Sequence, residues 1–232
     1  MIETQPKASE MKNDKPKRKR KPHAVVLDYD DTVVDFMGFL CSVHNLYNGT
    51  CMTKNDVKGW GFKGVSLTDA RGNTVTGEEL MNTFKTYEKH GIYASLPVIR
   101  EARKAIYDMR TLGYKVIILT ARDEKYKEQT EINAMHQKVV YDELHFSSDK
   151  VKILKELSKR YNIRAFADDR AQTVLKVMDK SKVKNVFLVD AAHNRNLDEI
   201  ATEMNIEVED GDIKRIRDIY EILRELPDVN PK

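Results

Sequence analysis

The chain has 232 residues, 41% of them hydrophobic and 33% charged, and a formal net charge of +3. That is enough chain for one large domain, or a domain with a smaller insert, and enough apolar content to bury a core. The two cysteines, Cys41 and Cys51, form no CxxC pair. They give no disulfide framework or zinc site and suggest a reducing compartment. No apolar run approaches the roughly 18 residues a membrane helix needs. The polar, basic N-terminus has no apolar stretch behind it, unlike a secretory signal. The expectation is a soluble, cytoplasmic protein without membrane contact.

Charge is unevenly spread. Residues 1–21 hold eight Lys and Arg against three acids, a net +5 that leaves −2 for the rest. Residues 1–22 are nearly free of apolar side chains and include Pro6, Pro16 and Pro22. Such a segment cannot offset its ordering entropy by burial, so a disordered tail is expected. Its run Lys15–Lys21 suits a non-specific hold on nucleic-acid phosphates, a nuclear address, or a solvated tail that aids solubility.

The first element is Ala24–Leu27, four apolar residues that run straight into Asp28, Asp30 and Asp31, then Thr32. A short continuous apolar run reads as a strand buried on both faces. Acids at its end cost free energy unless a metal or a hydrogen-bond network compensates. This is the candidate reaction centre.

From Val33 to Pro97 the apolar strand runs stop. Phe36, Phe39, Leu40, Val43, His44 and Tyr47 have the spacing of one helix face, ended by Gly49. A glycine-rich stretch, Lys58–Gly64, and a turn at 70–73 follow. Thr76 and Glu79 fit a capping box, so a helix through about Lys89 is predicted, closed by Gly91. The reading is a small helical insert over 35–97, between core segments 23–34 and 98–232, placed where it would overhang the acids.

Regular alternation begins at Val98. Helices are predicted at Val98–Leu112, Asp123–Lys138, Asp149–Arg160, Arg170–Asp179, Leu197–Met204 and Asp212–Leu226. Strands are predicted at 114–119, 143–146, 163–167 and 185–189. This pattern predicts an α/β fold: a Rossmann-like parallel sheet with helices on both faces.

In such a sheet, ligands sit beyond the carboxyl ends of the strands. The first strand delivers Asp28 and Asp30 there. The second delivers Thr120, Ala121 and Arg122, and a later one Asp168 and Asp169. Lys150 and Lys152 open a helix on the same edge. The four carboxylates offer hard oxygen donors suited to Mg²⁺. A carboxylate can also attack phosphorus, and a second one two residues on can move protons. A hydroxyl and an ammonium can hold phosphoryl oxygens as charge develops.

As a set, Asp28-Tyr-Asp30-Asp-Thr32, Thr120, a lysine and Asp168-Asp169 resemble the motifs of the haloacid dehalogenase superfamily of phosphotransferases over roughly residues 24–190. The resemblance implies Asp28 as nucleophile and Asp30 as general acid/base. It implies Mg²⁺ on Asp28, the Asp30 main-chain carbonyl, and Asp168 or Asp169. Thr120, the adjacent Ala121 and a lysine would hold the phosphoryl group. Ser148-Asp-Lys150 matches the pattern better than Lys152. Asp31 departs from it, since many members carry glycine there, and its role is open.

The insert resembles the cap of the 5′(3′)-deoxyribonucleotidases at Asp28–Phe36, Gly59–Phe62 and Tyr87–Tyr93. That likeness implies a nucleoside monophosphate substrate, with Phe36, Trp60, Phe62, Tyr87, Tyr93 and Arg122 as candidates to contact it; aromatic faces suit base stacking. The rival is a polynucleotide 3′-phosphatase. Thr120-Ala-Arg122 and Asp168-Asp-Arg170 resemble the phosphatase half of polynucleotide kinase-phosphatases, although no GxxxxGK[ST] loop occurs. Another small phosphoester, or a catalytically silent binding protein, are further readings. Oligomeric state is open, a homodimer included.

Overall fold

A computed structural model describes residues 20–59, 62, 66–68, 71–72 and 74–229. The expected tail therefore lies almost wholly outside the described residues, as does Trp60. Six parallel strands form the main sheet: β1 His23–Leu27, β4 Lys115–Thr120, β5 Glu143–Phe146, β6 Asn162–Asp168, β7 Val186–Val189 and β8 Ile213–Ile216. Their order is β5-β4-β1-β6-β7-β8. β2 Ser66–Thr68 and β3 Thr74–Thr76 form a separate antiparallel hairpin.

The helices are α1 Phe36–Asn48, α2 Gly77–Lys89, α3 Ala102–Thr111, α4 Lys127–His136, α5 Lys150–Arg160, α6 Ala171–Lys180 and α7 Leu197–Glu203. Among the described residues no helix is long and apolar enough to cross a membrane.

Successive side chains of a strand point to opposite faces, and the central strands bury both. Val25 and Leu27 of β1 join one hydrophobic cluster, Ala24 and Val26 the other. In β4, Val116 and Ile118 lie opposite Ile117 and Leu119 in the same way. The β1–β6 register slips at Ala24/Val25, which leaves Arg164 as an extra residue between the paired Ile163 and Ala165. That slip keeps Ile163 and Phe166 on one face.

The chain leaves the sheet for residues 35–97 through a narrow neck. Val34 and Val98 pair as an antiparallel bridge, and the Asp35 N–H donates to the Pro97 carbonyl at 2.9 Å. The insert shares its core with one sheet face: Leu40, Leu80, Ile92 and Leu96 belong to the cluster of Val25 and Leu27. Thr76 and Glu79 form the expected capping box at α2.

Four expectations are corrected. The buried stripe of α1 is Met37, Leu40, Cys41 and His44, whereas Tyr47 is 71% exposed; the helix is rotated by about one residue from the aromatic face. The insert is not strand-free, because β2 and β3 pair antiparallel within it, Ser66 with Thr76 and Thr68 with Thr74. α3 starts at Ala102, since Val98 is held in the bridge to Val34. Asp212–Leu226 is not one helix but β8 followed by a 3₁₀ helix over Ile219–Glu225. Ile213 and Ile216, three apart, suit a helix face, but on a strand the odd spacing sends them to opposite sheet faces, and they join opposite clusters.

Candidate active site

β1 and β6 end side by side, and the Asp28 N–H donates to the Ala167 carbonyl at 2.9 Å. This sets Asp28 beside Asp168 and Asp169, all buried. α5 opens between β5 and β6 and sends Lys150 to the same point. The ammonium lies 2.6 Å from Asp28 Oδ1 and 2.7 Å from Asp168 Oδ2. One carboxylate oxygen from each of Asp28, Asp168 and Asp169 falls within 4.8 Å of the others. Lys152 is exposed, with only its backbone N–H capped by Asp149. Lys150 is therefore the lysine that the fold brings to the acids.

Burial pushes Asp28 well above the usual carboxylate range; Lys150 pulls it back, while Asp168 and Asp169 add to the rise. Burial also raises Asp169, with Asp168 the next cause. Burial alone would lower Lys150, but Asp168 and Asp28 outweigh it and the net shift is upward. Three buried carboxylates face one ammonium here. Hard oxygen donors with a deficit of positive charge fit a divalent ion such as Mg²⁺.

Asp30 points elsewhere. Its two oxygens accept from Arg122 Nε at 2.8 Å and Nη2 at 2.6 Å. Arg122 Nη1 donates to Thr130 Oγ1 at 2.9 Å. The guanidinium lies 4.4 Å from the ring centre of Tyr93 and 4.8 Å from that of Tyr29. Arg122 was expected at the substrate; its side chain is 1% exposed and committed to Asp30. Thr120 is fully buried, and its Oγ1 accepts from the Arg122 N–H at 3.2 Å. Ala121, between them, is exposed.

Asp31 gains a structural role. Its φ is +54°, a backbone that glycine adopts at no steric cost, which accounts for glycine in the resembling motif. Its Oδ1 accepts from the Met37 N–H at 2.8 Å, beside the N-cap Asp35 of α1. Burial, then the Asp169 carboxylate, raise its pKa.

Two residues missed in the sequence brace Asp169. His193 Nε2 lies 2.9 Å from Asp169 Oδ2, and Asn194 Nδ2 donates to the Asp169 carbonyl at 2.7 Å. They follow β7, at the edge where ligands were expected, and that position was their signal. Tyr29 was also missed. Its hydroxyl donates to Asn133 Oδ1 at 2.8 Å, tying the motif loop to α4.

The aromatic candidates separate. Phe36 and Tyr93 stack with ring centres 6.4 Å apart, joined by Phe84, which was not expected, and by Tyr126, which follows the Thr120-Ala-Arg122 motif. This cluster sits on the Arg122–Asp30 pair through Tyr93. Tyr87 instead packs on Tyr47, 5.7 Å between centres, beside a groove between α1 and α2. Phe62 is 8% exposed inside the hydrophobic core. It was expected to offer a stacking face, and packing takes that face.

No family model and no curated protein matches the sequence. Solved structures match in fold. A haloacid dehalogenase-like hydrolase from Burkholderia xenovorans gives a TM-score of 0.56 at 12% identity, covering 88% of this chain and 96% of that one. A phosphonoacetaldehyde hydrolase-like protein from Oleispira antarctica gives 0.54 at 11% identity, covering 89% and 91%. The chain has the haloacid dehalogenase-like fold. A haloacid dehalogenase-like hydrolase from Streptococcus pneumoniae agrees, with a TM-score of 0.52 at 13% identity over 88% and 98%. At such identities the likeness concerns the fold.

Proposed function

We propose that the protein is a Mg²⁺-dependent phosphatase acting on nucleoside monophosphates through an aspartyl-phosphate. The observation that carries this reading is the Lys150 ammonium held by Asp28 and Asp168, with Asp169 alongside. Lys150 orients Asp28 and offers its remaining donor to a phosphoryl oxygen. An Asp28 oxygen attacks phosphorus as the ester oxygen leaves, forming an acyl phosphate. Asp30 gives that oxygen a proton, then takes one from the water that cleaves the acyl phosphate. Asp30 is a double acceptor of Arg122, so donating a proton requires the pair to open on one side. Mg²⁺ on Asp28, the Asp30 carbonyl, and Asp168 or Asp169 would neutralise charge on the phosphoryl oxygens. Thr120 and Ala121, at the end of the neighbouring β4, would help to hold the same group. Of the aromatic candidates, Phe36 is only partly buried and packs against the buried Tyr93, so Phe36 would be the one to meet a base.

Nucleic-acid ends are the second reading as substrate. It is favoured by a cation-lined cleft that starts at Lys150. Phosphate release from nucleoside 3′- and 5′-monophosphates, beside a 3′-phosphorylated oligonucleotide, tests both. Release from mononucleotides in Mg²⁺ and none in EDTA is expected. Release from the oligonucleotide alone transfers the reading to nucleic-acid ends, and release from neither overturns it.

A further inference from the structure

Two clefts cross the outer face of α5 and α6. One, of about 610 Å³, runs from Ser148, Lys150 and Arg170 at the acidic edge to Lys155 and Lys180. The other, of about 900 Å³, continues from Lys155 and Lys180 to Arg20 and Lys21. Shared residues make them one path, and α5 alone spans about 16 Å of it. At its far end the Lys21 ammonium donates to the Ser158 carbonyl at 2.7 Å, which fixes the first described residues of the chain there.

The path is strongly polarised. Nine Lys and Arg line it against three acids, Asp149, Glu156 and Asp179. Residues 1–19 carry the chain's whole +3, so residues 20–232 sum to zero and those of them outside the path carry −6. Lys152, Lys155, Lys176, Lys180 and Lys182 are exposed, and none has an ion-pair partner among the described residues. Exposed lysines without an ion-pair partner also occur elsewhere among the described residues, as at Lys85 and Lys127, so it is their clustering along one path that sets these apart. A row of exposed, unmatched ammonium groups repels itself unless a polyanion covers it.

We propose that the α5–α6 path binds the backbone of a single-stranded nucleic acid. Its linear spacing suits successive phosphates, and Gln172, Thr173, Asn162 and Ser181 add hydrogen-bonding groups along it. A duplex presents phosphates on a convex cylinder, which does not enter a cleft between neighbouring helices. None of the large exposed hydrophobic residues lines the path, so it lacks the anchors of a lipid-binding face. The inference does not rest on the catalytic reading.

The test is fluorescence anisotropy with a labelled single-stranded oligonucleotide between about 50 and 200 mM salt. Lys155→Glu/Lys176→Glu/Lys180→Glu should weaken binding about 30-fold and flatten the salt slope by about two. The corresponding glutamine variant should show a smaller loss in the same direction. Aryl phosphate hydrolysis should stay unchanged in both. A chain lacking residues 1–19 should keep salt-dependent binding. Asp28→Asn should bind as the wild type does, so a failed catalytic assignment leaves this result standing. Unchanged affinity in both lysine variants overturns the proposal. So does binding that vanishes with residues 1–19 alone, equal competition by polyglutamate, or binding to phosphatidylserine vesicles but not to the oligonucleotide.

Discussion

Arg122 grips Asp30 through two parallel hydrogen bonds while its guanidinium lies 4.4 Å from the ring centre of Tyr93. Tyr93 comes from the insert and Arg122 from the end of β4, so Asp30, the residue proposed to move the proton, is aimed by groups from two parts of the chain. Arg122→Ala should cut kcat about 10²–10⁴-fold, as Asp30→Asn should. The double variant should be no worse than the single ones, because both remove one unit. Arg122→Lys should recover little, since an ammonium cannot make the two-pronged contact. Steady-state kinetics on an aryl phosphate checks this; additive losses would place Arg122 outside the Asp30 function.

Lys150→Gln removes the cation between two buried carboxylates. The expected loss is about 3–5 kcal/mol in EDTA, read from urea unfolding. Mg²⁺ should raise the melting temperature of the wild type and restore part of the loss in the variant. Asp168→Asn should abolish the Mg²⁺ shift. An undiminished shift in that variant would remove Asp168 from the metal set.

Glu143 joins β5 to the end of α5. It accepts from Arg160 at 2.7 and 2.8 Å and from the Tyr161 hydroxyl at 2.5 Å. The Arg160 bonds, with Tyr161 and His145, lower its pKa to about 2 from an ordinary 4.5. A depressed carboxyl pKa stabilises the fold above the ordinary value, and that stability is lost as pH falls towards 2. Glu143→Gln should therefore narrow the gap between unfolding free energies at neutral pH and near pH 2. An identical pH profile in the variant would refute the linkage.

Gly77 opens α2 where a Cβ would lie 1.6 Å from the Phe62 carbonyl oxygen. Gly77→Ala must displace backbone, at a cost of about 1–3 kcal/mol. Since the insert shares its core with the sheet, one cooperative transition at lower denaturant is expected. Gly77→Ala and wild-type midpoints that coincide would show that the contact yields freely.

Five of the six strands of the sheet, the capping box and the order of the acidic edge were legible because each rests on local pattern: apolar runs, cap residues, acids at strand ends. Lys150 was distinguishable from Lys152 only by motif; the fold separates them by burial. The misread elements have spacings that serve two structures, as with Ile213 and Ile216. The Arg122–Asp30 pair, His193 with Asp169, and Tyr93 over Arg122 join residues far apart in the chain, and no local pattern encodes such pairings. The aromatics of the insert were visible as a group, but burial decides which pack and which face the site, and burial is a property of the assembled insert.

Lys150 has a further consequence as the first residue of α5. A helix start carries partial positive charge and disfavours a cation. This one begins with a cation and has no acid in its first turn. The carboxylates of Asp28 and Asp168, on two other elements, offset that mismatch. Asp149 caps the same turn from within the helix, so the start of α5 is held both by its own N-cap and by carboxylates from the ends of β1 and β6.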